Sequence, residues 1–235
     1  MVTARAAEVL NEGDIEVLGR MPFSSNSTFL VEVCLGGDSL RAVYKPGRGE
    51  RPLWDFPAGL YKREVAAYEI SEALGWGLVP LTVRRSCNAP FGEGSLQLLI
   101  DADLDEHYFS LVEQERLHEQ LRRLCAFDLV INSTDRKAGH VLHGPDDRLW
   151  AVDNGLSFHT ELKLRTVIWD FAGEAIPHAI VRDVSRLADE GAPVAVENLL
   201  GMSERDALVG RATDVVDRGV FPRDPTGRSY PWPLV

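Results

Sequence analysis

The spacing of apolar residues changes character near residue 101, and that change limits the folds open to this chain. Before it, short runs rich in β-branched residues read as strands: 15–18, 28–33, 41–45, 78–84 and 95–100. Gly36-Gly37-Asp38 marks a hairpin turn between two of them. One helix interrupts the series: apolar positions at Leu60, Val65, Tyr68 and Ala73 have helical spacing over 60–74, and Gly75 and Gly77 stop it. After residue 101 the spacing is helical. A long helix is predicted over 111–131, and amphipathic helices over 179–189 and 203–218, with Ser203 as an N-cap. The tail from 221 to 235 carries four prolines and is expected to be irregular. Five strands and one helix followed by a helical half predict an α+β fold of two lobes, residues 1–101 and 102–235.

With 235 residues, 45% of them apolar, the chain can bury a sizeable core. Its net charge of −11 opposes attraction to phosphate backbones and anionic bilayers, so nucleic acid and stable membrane association are not expected. Apolar runs such as Leu98-Leu99-Ile100 fall far short of the roughly 20 residues a spanning helix needs. No export signal is evident at the N-terminus, and Cys34, Cys87 and Cys125 are scattered without C-x-x-C spacing, so buried free thiols in a cytoplasmic protein are the expectation.

Chemistry-bearing residues gather in the second half. A polar loop, residues 132–140, is flanked by the apolar Leu129-Val130-Ile131 and Val141-Leu142. A short strand then delivers Asp153-Asn154-Gly155, and a turn at Gly144-Pro145-Asp146-Asp147 implies a hairpin between loop and strand. Such a hairpin can bring the carboxylates of Asp135 and Asp153 together.

In the order of these features the chain resembles the protein-kinase-like superfamily, in particular its phosphatidylinositol 3-/4-kinase-like and bacterial toxin-kinase branches. A kinase catalytic loop has an Asp followed five residues on by a metal-holding Asn, and later an Asp-x-Gly whose Asp holds magnesium. Asp135, His140 and Asp153-Asn154-Gly155 stand at those positions. Ala42-Val43-Tyr44-Lys45 resembles the strand that carries the phosphate-binding lysine, and Glu64 stands on the following helix as its ion-pair partner. The resemblance implies binding of ATP with Mg2+ or Mn2+ and transfer of its γ-phosphoryl group to an unidentified hydroxyl acceptor. Asp135 would orient the attacking hydroxyl, Lys45 and Glu64 would place charge on the phosphates, and Asp153 with His140 would hold metal. Ser24, Ser25 and Asn26 would cover the phosphates, and Leu99, Ile100 and Asp101 would form the interlobe hinge that meets the adenine.

Two departures from the pattern keep other readings open. The first turn lacks G-x-G-x-x-G, and His140 replaces the usual Asn. A nucleotide-binding pseudokinase acting as an interaction module is the alternative; separately, His140 could be merely hydrogen-bonded in its loop, with one metal held by Asp153 alone. Nucleotidyl transfer would use the same lysine and carboxylates. A metal hydrolase built on His140, His143 and Asp153 is a minor reading, because His-x-x-His does not place two ligands on one helical face. Arg136 and Lys137 are candidates for phosphate contact or for plain solvation. Trp-Asp-Phe occurs at 54–56 and again at 169–171, with Asp55 and Asp170 as candidates for the substrate mouth.

Overall fold

The computed structural model of the chain describes residues 2–22, 26–224 and 226–235. Ser24 and Ser25, expected at the phosphates, lie outside the described residues. An α-helix that strand patterning does not announce comes first, α1 (Val2–Glu12). Its alanines favour helix, and it seats Val9 and Leu10 against the inner face of a sheet. The sheet has five antiparallel strands in the order β1-β2-β3-β5-β4: β1 (Asp14–Arg20), β2 (Phe29–Leu35), β3 (Asp38–Pro46), β4 (Thr82–Arg85) and β5 (Gly94–Leu98). Gly36 and Gly37, both at positive φ, turn β2 into β3. Side chains alternate across β3, so Ala42 and Tyr44 enter the core with Val31, Val33 and Leu96 while Lys45 faces the other way.

Helix α2 (Leu60–Ala73) follows β3 after the proline- and glycine-rich connector. Glu50 in that connector accepts hydrogen bonds from Gly59 N and Tyr61 N, both at 2.8 Å, and so supplies the first turn with acceptors and negative charge. The far face of α2 does not belong to the strand core. Ala66, Ala67, Ile70 and Leu74 pack instead into the core of the helical lobe.

The chain passes between the lobes at 99–103, where Leu99 N donates to Arg41 O of β3 (3.0 Å) and Asp103 N to His143 O (3.2 Å). The helical lobe holds a short α3 (Tyr108–Leu111), α4 (His118–Ile131), the hairpin β6 (Val141–His143) and β7 (Leu149–Ala151), then α5 (His178–Glu190) and α6 (Met202–Arg218). The helix expected over 111–131 is therefore broken. Gln114 is extended and a 3-10 turn, Glu115–Leu117, restarts the chain before α4 begins. From there Leu121, Leu124, Phe127, Val130 and Ile131 are fully buried, each stabilising the lobe by roughly 1.5–3 kcal/mol. The expected cap at Ser203 also moves: Gly201 is the N-cap, and Glu204 reaches back to its N–H at 2.7 Å. Among the described residues no helix is long and apolar enough to cross a membrane.

Candidate active site

Three charged residues from three elements meet between the lobes. Lys45 leaves β3 on the face opposite the strand core, and its Nζ reaches both the Glu64 carboxylate on α2 and Asp153 Oδ1, the latter at 2.7 Å. Glu64 is 4% exposed and uses both oxygens: Oε1 takes the lysine, and Oε2 accepts the backbone N–H of Asn154 at 2.9 Å. One buried carboxylate thus fixes the lysine and the loop bearing Asp153 at once. Burial works against the Lys45 ammonium, but Asp153 and Glu64 overcome it and raise its pKa. Asp153 is held well below the usual carboxylate range, chiefly by Lys45 and against burial, with His140 adding to the effect. Its side chain remains 54% exposed, so an ionised oxygen is open to a ligand.

The backbone around Asp153 is specialised. Asp153 itself has φ 57°, a left-handed conformation that non-glycine residues seldom adopt. Asn154 stabilises the turn by donating to Ala151 O at 3.1 Å. Gly155 suits a close approach, since a Cβ there would stand 3.2 Å from Glu64 Oε1, tighter than an ordinary contact.

The loop carrying Asp135 begins where α4 ends in Asn132, also left-handed at φ 54°. Asn132 donates to the carbonyls of His159 (3.0 Å) and Glu161 (2.7 Å) and accepts from Lys163 N (3.0 Å), which joins this loop to the segment after Asp153-Asn154-Gly155. Further backbone bonds run from Thr134 N to Leu156 O (2.9 Å), Arg165 N to Ser133 O (2.9 Å), Arg136 N to Arg165 O (3.0 Å) and Ala138 N to Leu234 O (2.7 Å). Asp135 is half-buried and paired with Lys137 Nζ at 2.8 Å. Val152 N donates to His140 O at 3.0 Å, so the hairpin sets this loop beside Asp153.

Arg136 is neither a phosphate contact nor a solvated side chain. It is fully buried, with Nε 3.0 Å from Asp128 Oδ1, NH1 2.7 Å from Val152 O and NH2 2.6 Å from Asn154 Oδ1. Its role is to lock the turn that carries Asp153. Burial raises the pKa of Asp128, against the attraction of Arg136.

His140 stands with Nε2 3.4 Å from Asp153 Oδ2, and burial pushes its pKa down. Lys137 N–H points at His140 Nδ1 at 3.4 Å, which leaves Nε2 as the protonated nitrogen facing Asp153. In this tautomer His140 is a donor to the carboxylate. His143 is engaged elsewhere, with Glu106 and with Asp147 at 3.0 Å, so the two histidines do not converge on Asp153. Among the described residues no three His, Cys, Asp or Glu side chains are arranged to hold a metal.

The remaining sequence candidates scatter. Asn26 accepts the backbone N–H of Arg51 at 2.9 Å, tying the first loop to the connector. Leu99, Ile100 and Asp101 border a cleft of about 570 Å3 together with Gln120, Arg148 and Trp150, and the Lys45 cluster is not part of its wall. Asp55 pairs with Lys163 at 3.2 Å, and Asp170 accepts the Tyr108 hydroxyl. Sequence reasoning missed Asp128, the side chain of Asn154 and Arg63, which is buried on α2 and bonds Ser157 O (3.1 Å) and Glu204. An acid inside the apolar run of α4 was the available signal for Asp128.

No family model matches the chain. It is 40% identical to protein Rv2133c of Mycobacterium tuberculosis over 96% of this chain and 94% of that one. Among solved structures it is similar to hydra Fam20 with sugar, with a TM-score of 0.60 at 12% identity over 92% of this chain and 88% of that one. It is also similar to the Golgi casein kinase with Mn/ADP bound, with a TM-score of 0.54 at 14% identity over 99% and 80%. These likenesses show the fold, a two-lobed protein-kinase-like fold with a strand-rich and a mostly helical lobe.

Proposed function

We propose that this chain, which belongs to the family of Mycobacterium tuberculosis protein Rv2133c, is a kinase-like phosphotransferase that moves the γ-phosphoryl group of ATP to a hydroxyl. The acceptor is a protein Ser or Thr, its own included, or a small polyol. The observation that carries this reading is Glu64, a buried carboxylate that ties Lys45 on the sheet to the Asp153-Asn154-Gly155 turn of the other lobe.

The donor chemistry fits a divalent cation that arrives with phosphates: Asp153 offers a half-exposed, ionised carboxylate, and Mg2+ or Mn2+ commonly takes one or two carboxylates and completes its shell with phosphate and water. His140 Nε2 joins Asp153 as a ligand only in its other tautomer, so Asp153 is the principal holder. The cation would neutralise charge on the phosphates of bound ATP. Lys45 adds a fixed positive charge there, and Glu64 keeps its flexible stem in place. Asp135 orients the acceptor hydroxyl and takes its proton, while Lys137, paired with it, holds the carboxylate in position. The missing glycine-rich signature is in keeping with the phosphatidylinositol 3-/4-kinase-like branch, and three free thiols, of which Cys125 is buried as expected while Cys34 and Cys87 are exposed, suit a cytoplasmic protein.

The test is incubation of the purified protein with ATP and Mg2+ or Mn2+, following mass change and ATP consumption beside Asp135→Ala and Asp153→Ala. Turnover lost in both variants supports the reading. Nucleotide binding without turnover under either metal favours the pseudokinase, the reading suited by the His140–Asp153 contact; no nucleotide binding at all refutes both.

A further inference from the structure

A cleft of about 530 Å3 opens between the segment 162–165, the C-terminal half of α6 and the tail. Its wall carries six cations, Lys163, Arg165, Arg211, Arg218, Arg223 and Arg228, against two carboxylates, Asp55 and Asp214. In a chain of net charge −11 this concentration runs against the overall field. Lys163 is answered by Asp55 at 3.2 Å and, more distantly, by Glu161 at 3.9 Å. Among the described residues, none of the five arginines is paired with a carboxylate.

Arg211 is the most telling of them. Its Nε donates to Val130 O at 2.8 Å and NH1 to His159 O at 3.2 Å, but NH2 is buried and has no partner. Burial lowers its pKa to about 10, so the guanidinium stays charged at neutral pH, and among the described residues no carboxylate is within ion-pair distance of it. A donor of this kind gains a hydrogen bond when an acceptor reaches it. The floor of the cleft is apolar, formed by Leu129, Val215 and Pro222, and Trp54 and Trp169 stand in its wall. Trp169 is fixed by its Nε1 bond to Ser229 O at 3.2 Å, whereas Trp54 is 95% exposed.

We propose that this cleft is a binding site for a phosphomonoester, whose phosphate sits among Arg211 and the tail arginines and whose body lies on the apolar floor beside the tryptophans. Guanidinium groups match phosphate oxygens in pairs, and a cleft of this volume admits a small molecule. The site does not depend on the phosphotransferase reading, because Lys45, Glu64, Asp153 and the residues 134–140 are not part of its wall. It does touch that machinery: Arg165 is bonded through its backbone to Ser133 and Arg136, on either side of Asp135.

Glucose 6-phosphate, inorganic phosphate and unphosphorylated glucose would be titrated into the full chain without nucleotide, read by tryptophan fluorescence and calorimetry. A parallel arm measures sedimentation with phosphatidylcholine vesicles with and without phosphatidic acid, which distinguishes a soluble ester from a lipid headgroup. Glucose 6-phosphate or phosphatidic acid is expected to bind, glucose and plain phosphatidylcholine not, with affinity about tenfold or more lower in Arg211→Gln. Because Arg211 also holds two backbone carbonyls, the exposed pair Arg223→Gln/Arg228→Gln serves as a second variant with the same expected loss. Binding of neither phosphate source, or binding unchanged in the double variant, overturns the proposal.

Discussion

Glu64 and Arg136 are both buried charges, yet they call for different expectations. Glu64→Gln keeps an acceptor for Asn154 N but removes the charge facing Lys45, so the fold should persist while turnover falls by about 10²-fold. Steady-state kinetics beside a melting curve separates the two effects; a large fall in Tm with little change in kcat would contradict the assignment. Arg136→Met leaves Asp128 buried without its partner, which should cost about 3–5 kcal/mol. In a chain of this size that corresponds to a fall of roughly 6–20 °C in Tm, with part recovered in Asp128→Asn/Arg136→Met. Lys45, Glu64 and Asp153 could be picked out of the sequence only as a set, because their order along the chain resembles the kinase pattern while each alone is an ordinary strand, helix or turn residue. Arg136 was not, since its burial depends on a partner eight residues earlier on another element and on a turn eighteen residues later.

At the level of elements, the strands were readable from their β-branched runs, and the hairpin turns from glycine and aspartate. The first helix was missed although its eleven residues carry an apolar face, because much of that face is alanine and its reason to exist is the sheet it covers. The break before α4 was equally hidden, because the apolar residues on either side of it, Leu111 and Leu117, are both buried. Gly94 offers a test of how the sheet positions the lysine. It pairs with Pro46 across β3 and β5, and a Cβ there would run into Lys45 O and Pro46 Cα. Gly94→Ala should therefore move the strand that bears Lys45, lowering both Tm and nucleotide affinity. A variant with wild-type affinity would show that β3 does not set the lysine's position.

Across the whole molecule, the lobes are joined by the segment that ends at Asp103 and by α2, whose charged side reaches the site while its apolar side enters the helical core. His143 secures the far end of that segment. Hydrogen bonding to Glu106 raises its pKa, against burial, with Asp147 contributing. Since the folded value lies above the unfolded one of about 6.5, the stabilisation is complete below that pH and is lost as pH rises through the raised value. The Tm difference between wild type and His143→Gln should thus be widest in acid, about 1 kcal/mol or less in free energy, and close at alkaline pH. A difference that widens with pH would reverse the assignment.

The bond from Ala138 to Leu234, and that from Thr166 to Ser229 at 3.1 Å, also set an order of events during synthesis. The strand lobe and the loop of Asp135 leave the ribosome early, but the backbone partners that close the loop follow almost a hundred residues behind, about 5–20 s later at ordinary elongation rates. For that interval the nascent chain has a complete sheet with its lysine in place while the loop of Asp135 is still unlatched, so under the proposed phosphotransferase reading it would gain a grip on nucleotide before it could act on it.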